Sequence, residues 1–234
     1  MKKLQEEFFL LLKSFEESKI LDKFIVIGSW AKEIYMENIP IRRSIIKTLD
    51  IDFTLIDPKG KYRTSVNNLL KVHEYKPEFT IHSKSITYFP SSELNKLKID
   101  FLCPYTRKIT EPTNISGLDI VVTPLKYQDI LVNNIIELPY KGLTIRVPSP
   151  EIWTIHKISI SQQRAGDRLQ RISKEQSDLE STKEMVEYFG FGKLESIAEE
   201  RFKGKFLKYY KEGMEKLKSR EIDLEIDFDN GIEL

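Results

Sequence analysis

Apolar and polar positions along the chain repeat with two different periods. Leu4, Phe8, Leu11, Leu12 and Phe15 recur at helical spacing among Glu and Lys, which predicts an amphipathic helix over residues 3–19 packed on a sheet. Residues 24–27 are an apolar run of strand type that ends in Gly28-Ser29. Ser29 is placed to cap a helix over 30–37, with Glu33 in support, and Asn38-Ile39-Pro40 stops it. A second apolar strand covers Thr48 to Ile56 and carries Asp50 and Asp52. After the turn Asp57–Lys61, the pattern predicts a helix over 62–73, a hairpin from 79–82 and 85–89, and strands over 96–104 and 118–122. Two further strands, 135–138 and 143–147, are hinged by Tyr140-Lys141-Gly142.

After Val147-Pro148-Ser149-Pro150 the period changes. Ile152, Ile155 and Ile158 predict a helix with Ser149 as cap and Pro150 in its first turn. A second helical pattern runs over 168–189 and ends at Gly190 and Gly192; more helix follows over 194–198 and 202–217. The acidic tail 221–234 reads as an edge strand or a loose end. The expected fold class is α/β (α+β): a mixed sheet flanked by helices over 1–147, followed by a C-terminal helical domain over 148–234.

Composition narrows the class. Hydrophobic residues make up 40% and charged residues 31% of the chain, the balance of a water-soluble protein. The net charge of +1 argues against a globally basic nucleic-acid binder and leaves room for a local basic patch. The single cysteine, Cys103, excludes an internal disulfide and fits a reducing cytoplasm. It reads as a small buried apolar residue rather than a nucleophile. His73, His82 and His156 lack zinc-ligand spacing. No apolar run reaches the ~18–20 residues of a membrane span. Glu6, Glu7 and Lys13 interrupt what would otherwise open like a signal peptide, so a cytoplasmic location is expected.

The candidate chemistry sits on the strands. Alternate strand residues share a face, so Asp50 and Asp52 project together, opposite Ile51 and Phe53. Two adjacent carboxylates resist joint ionisation, and a hard divalent cation, Mg²⁺ or Mn²⁺, relieves the repulsion. Gly28 permits close approach of backbone to a phosphate, and the following helix offers free N–H groups. Asp100 lies in the apolar strand Ile99-Asp100-Phe101, where an acid is costly unless it is at an edge, paired or metal-bound; it is a third candidate carboxylate. Arg42 and Arg43 open a basic connection that either holds triphosphate oxygens or is a solvated loop. Trp30 and Trp153 are assigned to the core, and His82 to an ordinary strand position.

Gly28-Ser29, Asp50-x-Asp52 and Asp100 together resemble the DNA polymerase beta-like nucleotidyltransferase superfamily. Its mark is a strand, a G-S pair opening a helix, a D-x-D strand and a later carboxylate on a third strand. Thr48, two residues before Asp50, fits the T-x-D-x-D-F context of that group. The stretch Val147–Glu151, then His156-Lys157, Arg164 and Lys174–Leu179, looks like the bacterial branch that includes AbiEii-like and minimal nucleotidyltransferases. The resemblance implies metal ligation by Asp50, Asp52 and Asp100, with Asp100 also activating the acceptor hydroxyl. It implies binding of an NTP such as ATP by Gly28, Ser29 and Thr48. It places Lys157, on a helix of the second domain, at the triphosphate, so that the helical domain completes the active site. Asp178 matches the distal aspartate that orients the lysine or approaches the acceptor. Arg42, Arg43 and Arg164 are further triphosphate or nucleic-acid contacts, or plain surface charge. The activity implied is transfer of an NMP to a hydroxyl of tRNA or protein, in a toxin-like member with an antitoxin partner. The alternatives are a catalytically degenerate binding module and a small-molecule (antibiotic) adenylyltransferase.

Overall fold

A computed structural model describes residues 2–44, 48–80, 85–91, 97–163 and 167–229. By its contacts the chain divides into two compact units, residues 1–149 and 150–234. The first is a mixed sheet with helices. It opens with α1 (Lys2–Glu17), whose Phe8, Leu11, Leu12 and Phe15 are buried as their spacing requires. A short 3-10 turn, Leu21–Lys23, leads into β1 (Phe24–Val26). Then come α2 (Gly28–Asn38), β2 (Asp50–Leu55), α3 (Val66–Val72), β3 (Tyr75–Thr80), β4 (Ser85–Pro90) and β5 (Lys98–Pro104). The unit continues with β6 (Thr113–Ile115), β7 (Ile120–Leu125), α4 (Gln128–Val132), β8 (Ile135–Tyr140) and β9 (Leu143–Pro148).

Among the described residues, seven strands form one sheet in the order β1-β2-β5-β4-β3, with β7 on β5 and β6 on β7. β1 and β2 are antiparallel, whereas β2 and β5 are parallel. β4 covers the first half of the free edge of β5, and β7 runs parallel along the second half. β8 and β9 form a separate hairpin. Lys141 and Gly142 both have positive φ at its tip, +48° and +85°, the two-residue turn whose twist matches a hairpin.

The core of this unit fixes which sheet face is dry. Phe15 of α1 lies 5.1 Å from Phe53, which lies 5.9 Å from Phe101 and 6.0 Å from Phe24. Each of these rings is buried, at ~2–3 kcal/mol of transfer free energy apiece. Ile51 and Phe53 therefore face α1, and alternation turns Asp50 and Asp52 to the other side of the sheet. Trp30, 4.5 Å from Phe8, is core, as expected.

The second unit is all helical: α5 (Pro150–Ser161), α6 (Arg168–Glu180), α7 (Lys183–Phe189), α8 (Phe191–Arg201) and α9 (Gly204–Asp229). α5 is buried along most of its length, including Ile152, Trp153, Ile155 and Ile158, and α9 contributes buried Phe206, Tyr210, Met214 and Leu217. A helix apolar on nearly all sides belongs in the middle of a bundle.

Several elements depart from the pattern reading. α2 begins at Gly28 with Ile27 as its N-cap and no side-chain cap, so Ser29 sits inside the first turn rather than capping it. The stretch 168–189 is two helices: it breaks at Ser181-Thr182, where the Thr182 hydroxyl donates to the Leu179 carbonyl at 2.7 Å and caps the end of α6. Gly192 lies within α8, and only Gly190 ends α7. The acidic tail is helix to Asp229, not an edge strand. β6 and α4 were not expected.

Candidate functional site

β2 and β5 run parallel with Asp50 opposite Lys98 and Asp52 opposite Asp100. In-register partners on neighbouring strands share a face, so the three aspartates lie on the sheet side away from α1. The turn from β1 into α2 brings the Gly-Ser pair to the same place. The Ile27 amide donates to the Asp52 carbonyl at 3.0 Å, tying the start of α2 to β2. Gly28 has φ +62°, and a Cβ built on it would collide with Oδ2 of Asp52. Only glycine admits both that backbone and that carboxylate. Asp52 thus lies against the N-terminus of α2, where backbone N–H groups and the helix dipole favour negative charge.

Asp50 is the outer member. The Thr48 hydroxyl accepts from the Asp50 amide at 3.0 Å and faces Asp50 Oδ2 at 3.5 Å, so Thr48 orders the strand entrance. Lys98 Nζ stands 4.0 Å from Asp50 Oδ1, with both side chains about half exposed. Asp100 is the inner member. Thr87 of β4, its register partner, donates to Oδ1 at 2.6 Å. Burial pushes the Asp100 carboxyl above the usual range; the Thr87 hydrogen bond opposes this, the Asp50 charge adds to it and Lys98 opposes it. Lys98 and Thr87 had not been singled out from the sequence. A K-x-D strand beside a D-x-D strand was the available signal, but it has meaning only once the two strands are known to be in-register neighbours.

The donor set is all carboxylate, the type that hard cations prefer. Among the described residues no three His, Cys, Asp or Glu side chains are gathered so as to hold a metal ion by themselves. Mg²⁺ characteristically takes one or two carboxylates and completes its shell with water and substrate phosphates. Asp50 and Asp52, on one face and with Asp52 against a helix N-terminus, are the pair suited to this.

Within the helical unit, Lys157 of α5 and Asp178 of α6 form an ion pair at 2.9 Å, with the side chains 12% and 8% exposed. Arg42 and Arg43 follow α2 and are exposed; the charge of Arg43 reaches Glu33 of α2, whose own carboxyl is raised by burial. Arg164 and His82 lie outside the described residues. Cys103 is buried, and burial pushes its thiol up to about 11, so it is no nucleophile at neutral pH. A cavity of about 200 Å³ lined by Glu7, Leu11, His73 and Tyr75 lies beside α1, on the face opposite the aspartates.

No curated protein matches the sequence significantly. An antigenic nucleotidyltransferase-like protein from Paracoccidioides brasiliensis, known from its crystal structure, is similar at 14% identity and a TM-score of 0.47, over 96% of this chain and 91% of that one. The family model described as "Nucleotidyltransferase" matches residues 8–199. That span takes in the Gly-Ser turn, the D-x-D strand, Asp100 and the Lys157–Asp178 pair, and the chain belongs to this nucleotidyltransferase family.

Proposed function

We propose that the protein is a metal-dependent nucleotidyltransferase that moves a nucleoside monophosphate from an NTP to an acceptor hydroxyl. The observation that carries this reading is the register of β2 on β5, which sets Asp100 beside Asp52 on the face that also bears Asp50 and the Gly28 turn. Asp50 and Asp52 would hold Mg²⁺ or Mn²⁺, which would supply charge neutralisation for the triphosphate. Gly28 and the first N–H groups of α2 receive the outer phosphates, with the Ser29 hydroxyl beside them. Asp100, held on the site face by the Thr87 hydroxyl, accepts the proton of the acceptor hydroxyl. The acceptor oxygen then bonds to the α-phosphorus, and the bond to the bridging oxygen breaks, releasing pyrophosphate. Lys157, paired with Asp178 within the helical unit, is the cation that the resemblance assigns to the triphosphate.

The acceptor in this reading is a tRNA or a protein side chain, as in the AbiEii-like branch, with an antitoxin as partner. A net charge of +1 favours a local footprint on such an acceptor over a long nucleic-acid groove. The test is incubation with Mg²⁺ or Mn²⁺, each of four α-labelled NTPs, and cellular RNA, protein and small hydroxyl compounds. Label should enter one pool and be lost in the Asp50→Asn/Asp52→Asn variant. Label in no pool refutes the reading. Label only in a small compound, with RNA and protein absent, identifies a small-molecule adenylyltransferase. The alternative is a catalytically degenerate binding module. It would keep its nucleotide or protein partner in the same double variant.

A further inference from the structure

We infer that Lys98 is a built-in counter-ion of Asp50, which holds the place of a divalent cation until metal and nucleoside triphosphate arrive together. The inference rests on the transfer reading and deepens it. It starts from register: Lys98 and Asp50 are direct partners on β5 and β2, so the ammonium and the carboxylate share one face by construction. Nζ stands 4.0 Å from Asp50 Oδ1. The lysine is also held from its other side, with Nζ 5.3 Å from the centre of the Phe89 ring. An aromatic face attracts the ammonium and restrains the long side chain that would otherwise wander.

The two halves of the D-x-D pair therefore meet different neighbours. Asp52 faces a carboxylate, Asp100, and Asp50 faces a cation. A divalent ion binding to the pair without nucleotide must displace or crowd the ammonium that stands beside Asp50. A metal–triphosphate complex has no such difficulty, because it brings negative charge for the displaced ammonium to meet. Lys98 thus acts as a positioning residue that penalises metal alone and favours metal with nucleotide.

The test reads Mn²⁺ binding by calorimetry, without turnover, in the wild type, Lys98→Met, Lys98→Arg, Asp50→Asn and Asp50→Asn/Lys98→Met. Met keeps the stem over Phe89 and removes only the charge. Without nucleotide, Lys98→Met should bind Mn²⁺ about two- to fivefold more tightly than the wild type, the range expected for a half-exposed ion pair. Lys98→Arg should match the wild type, and the effect of Met should vanish on the Asp50→Asn background. Non-hydrolysable NTP analogues should raise Mn²⁺ affinity more in the wild type than in Lys98→Met. Equal Mn²⁺ affinity in wild type and Lys98→Met, with Asp50→Asn weaker than both, overturns the role of Lys98 while leaving the metal site standing. If no protein binds Mn²⁺ through Asp50, with or without any analogue, the transfer reading falls and the inference falls with it.

Discussion

Truncating either partner of the Lys157–Asp178 pair should destabilise the helical unit far more than removing both. The pair is nearly dry, with side chains 12% and 8% exposed and Nζ 2.9 Å from Oδ1. Removing one member of such a pair leaves an uncompensated charge in the interior, and a loss of roughly 3–5 kcal/mol is typical. The small residual exposure of Lys157 lets its ammonium reach water once Asp178 is gone, so Asp178→Leu should lie at the lower end, about 3 kcal/mol. Lys157→Met removes the ammonium from a carboxylate that is less exposed and has a shorter stem, and should cost a similar amount. The double variant buries two apolar side chains instead, and should lie within about 1 kcal/mol of the wild type. The corresponding coupling is several kcal/mol, far above the few tenths expected of independent sites. Urea unfolding measures it. Trp153 on α5 reports the helical unit and Trp30 reports the sheet unit, so a Trp30→Phe background isolates the relevant transition from a chain that need not unfold in one step. Single-variant losses below about 1 kcal/mol, or a double variant as unstable as the sum of the singles, would refute the buried-pair argument.

Asp100→Asn should raise stability and abolish transfer together. Burial and the Asp50 charge hold the Asp100 carboxyl above its unfolded value, so folding disfavours its ionised form. That penalty is present above the folded pKa and is relieved as pH falls through it, so the gain of the Asn variant over wild type should shrink across the same window. The Asn side-chain oxygen still accepts from Thr87, while activity should fall at least ~100-fold; pH-resolved melts and the labelled-NTP assay check both. Gly28→Ala should cost about 1–2 kcal/mol from its left-handed φ alone. The new Cβ also displaces the Asp52 carboxylate, so transfer should fall more than the melting temperature shift accounts for; equal transfer by variant and wild type would argue against the Gly28–Asp52 contact.

How far the sequence spoke depended on whether the signal was local. α1 was legible because five apolar residues at helical spacing needed one dry face, and α1 buries Phe8, Leu11, Leu12 and Phe15. β2 and β5 were legible because aspartates in apolar runs demand a wet face every second residue. β6 escaped because three residues, Thr113–Ile115, carry too little pattern, and their strand state comes from pairing with β7. α4 escaped for a related reason: Gln128 looks like a surface residue but is buried, accepting from the Thr54 hydroxyl at 3.2 Å. The break at Ser181-Thr182 has no Gly or Pro to announce it, and the apolar period runs across it undisturbed. Capping at Ser29 failed because the positive φ of Gly28 had already turned the chain into the helix.

The same distinction governs the site. In one dimension Asp50 and Asp52 are equivalent carboxylates, two residues apart on one strand. The parallel register of β5 breaks that equivalence, since it sets Lys98 against Asp50 and Asp100 against Asp52. Thr87 then settles on Asp100 because β4 takes the other edge of β5 at that level. A shift of β5 by one residue would turn Lys98 and Asp100 to the face of Phe53 and bring Ile99 and Phe101 into the site, an exchange that the stacked Phe53–Phe101 contact forbids. The aromatic core on one side of the sheet therefore enforces the charge pattern on the other. Repacking Phe101 should disturb the site electrostatics even though its ring never touches a carboxylate on that face.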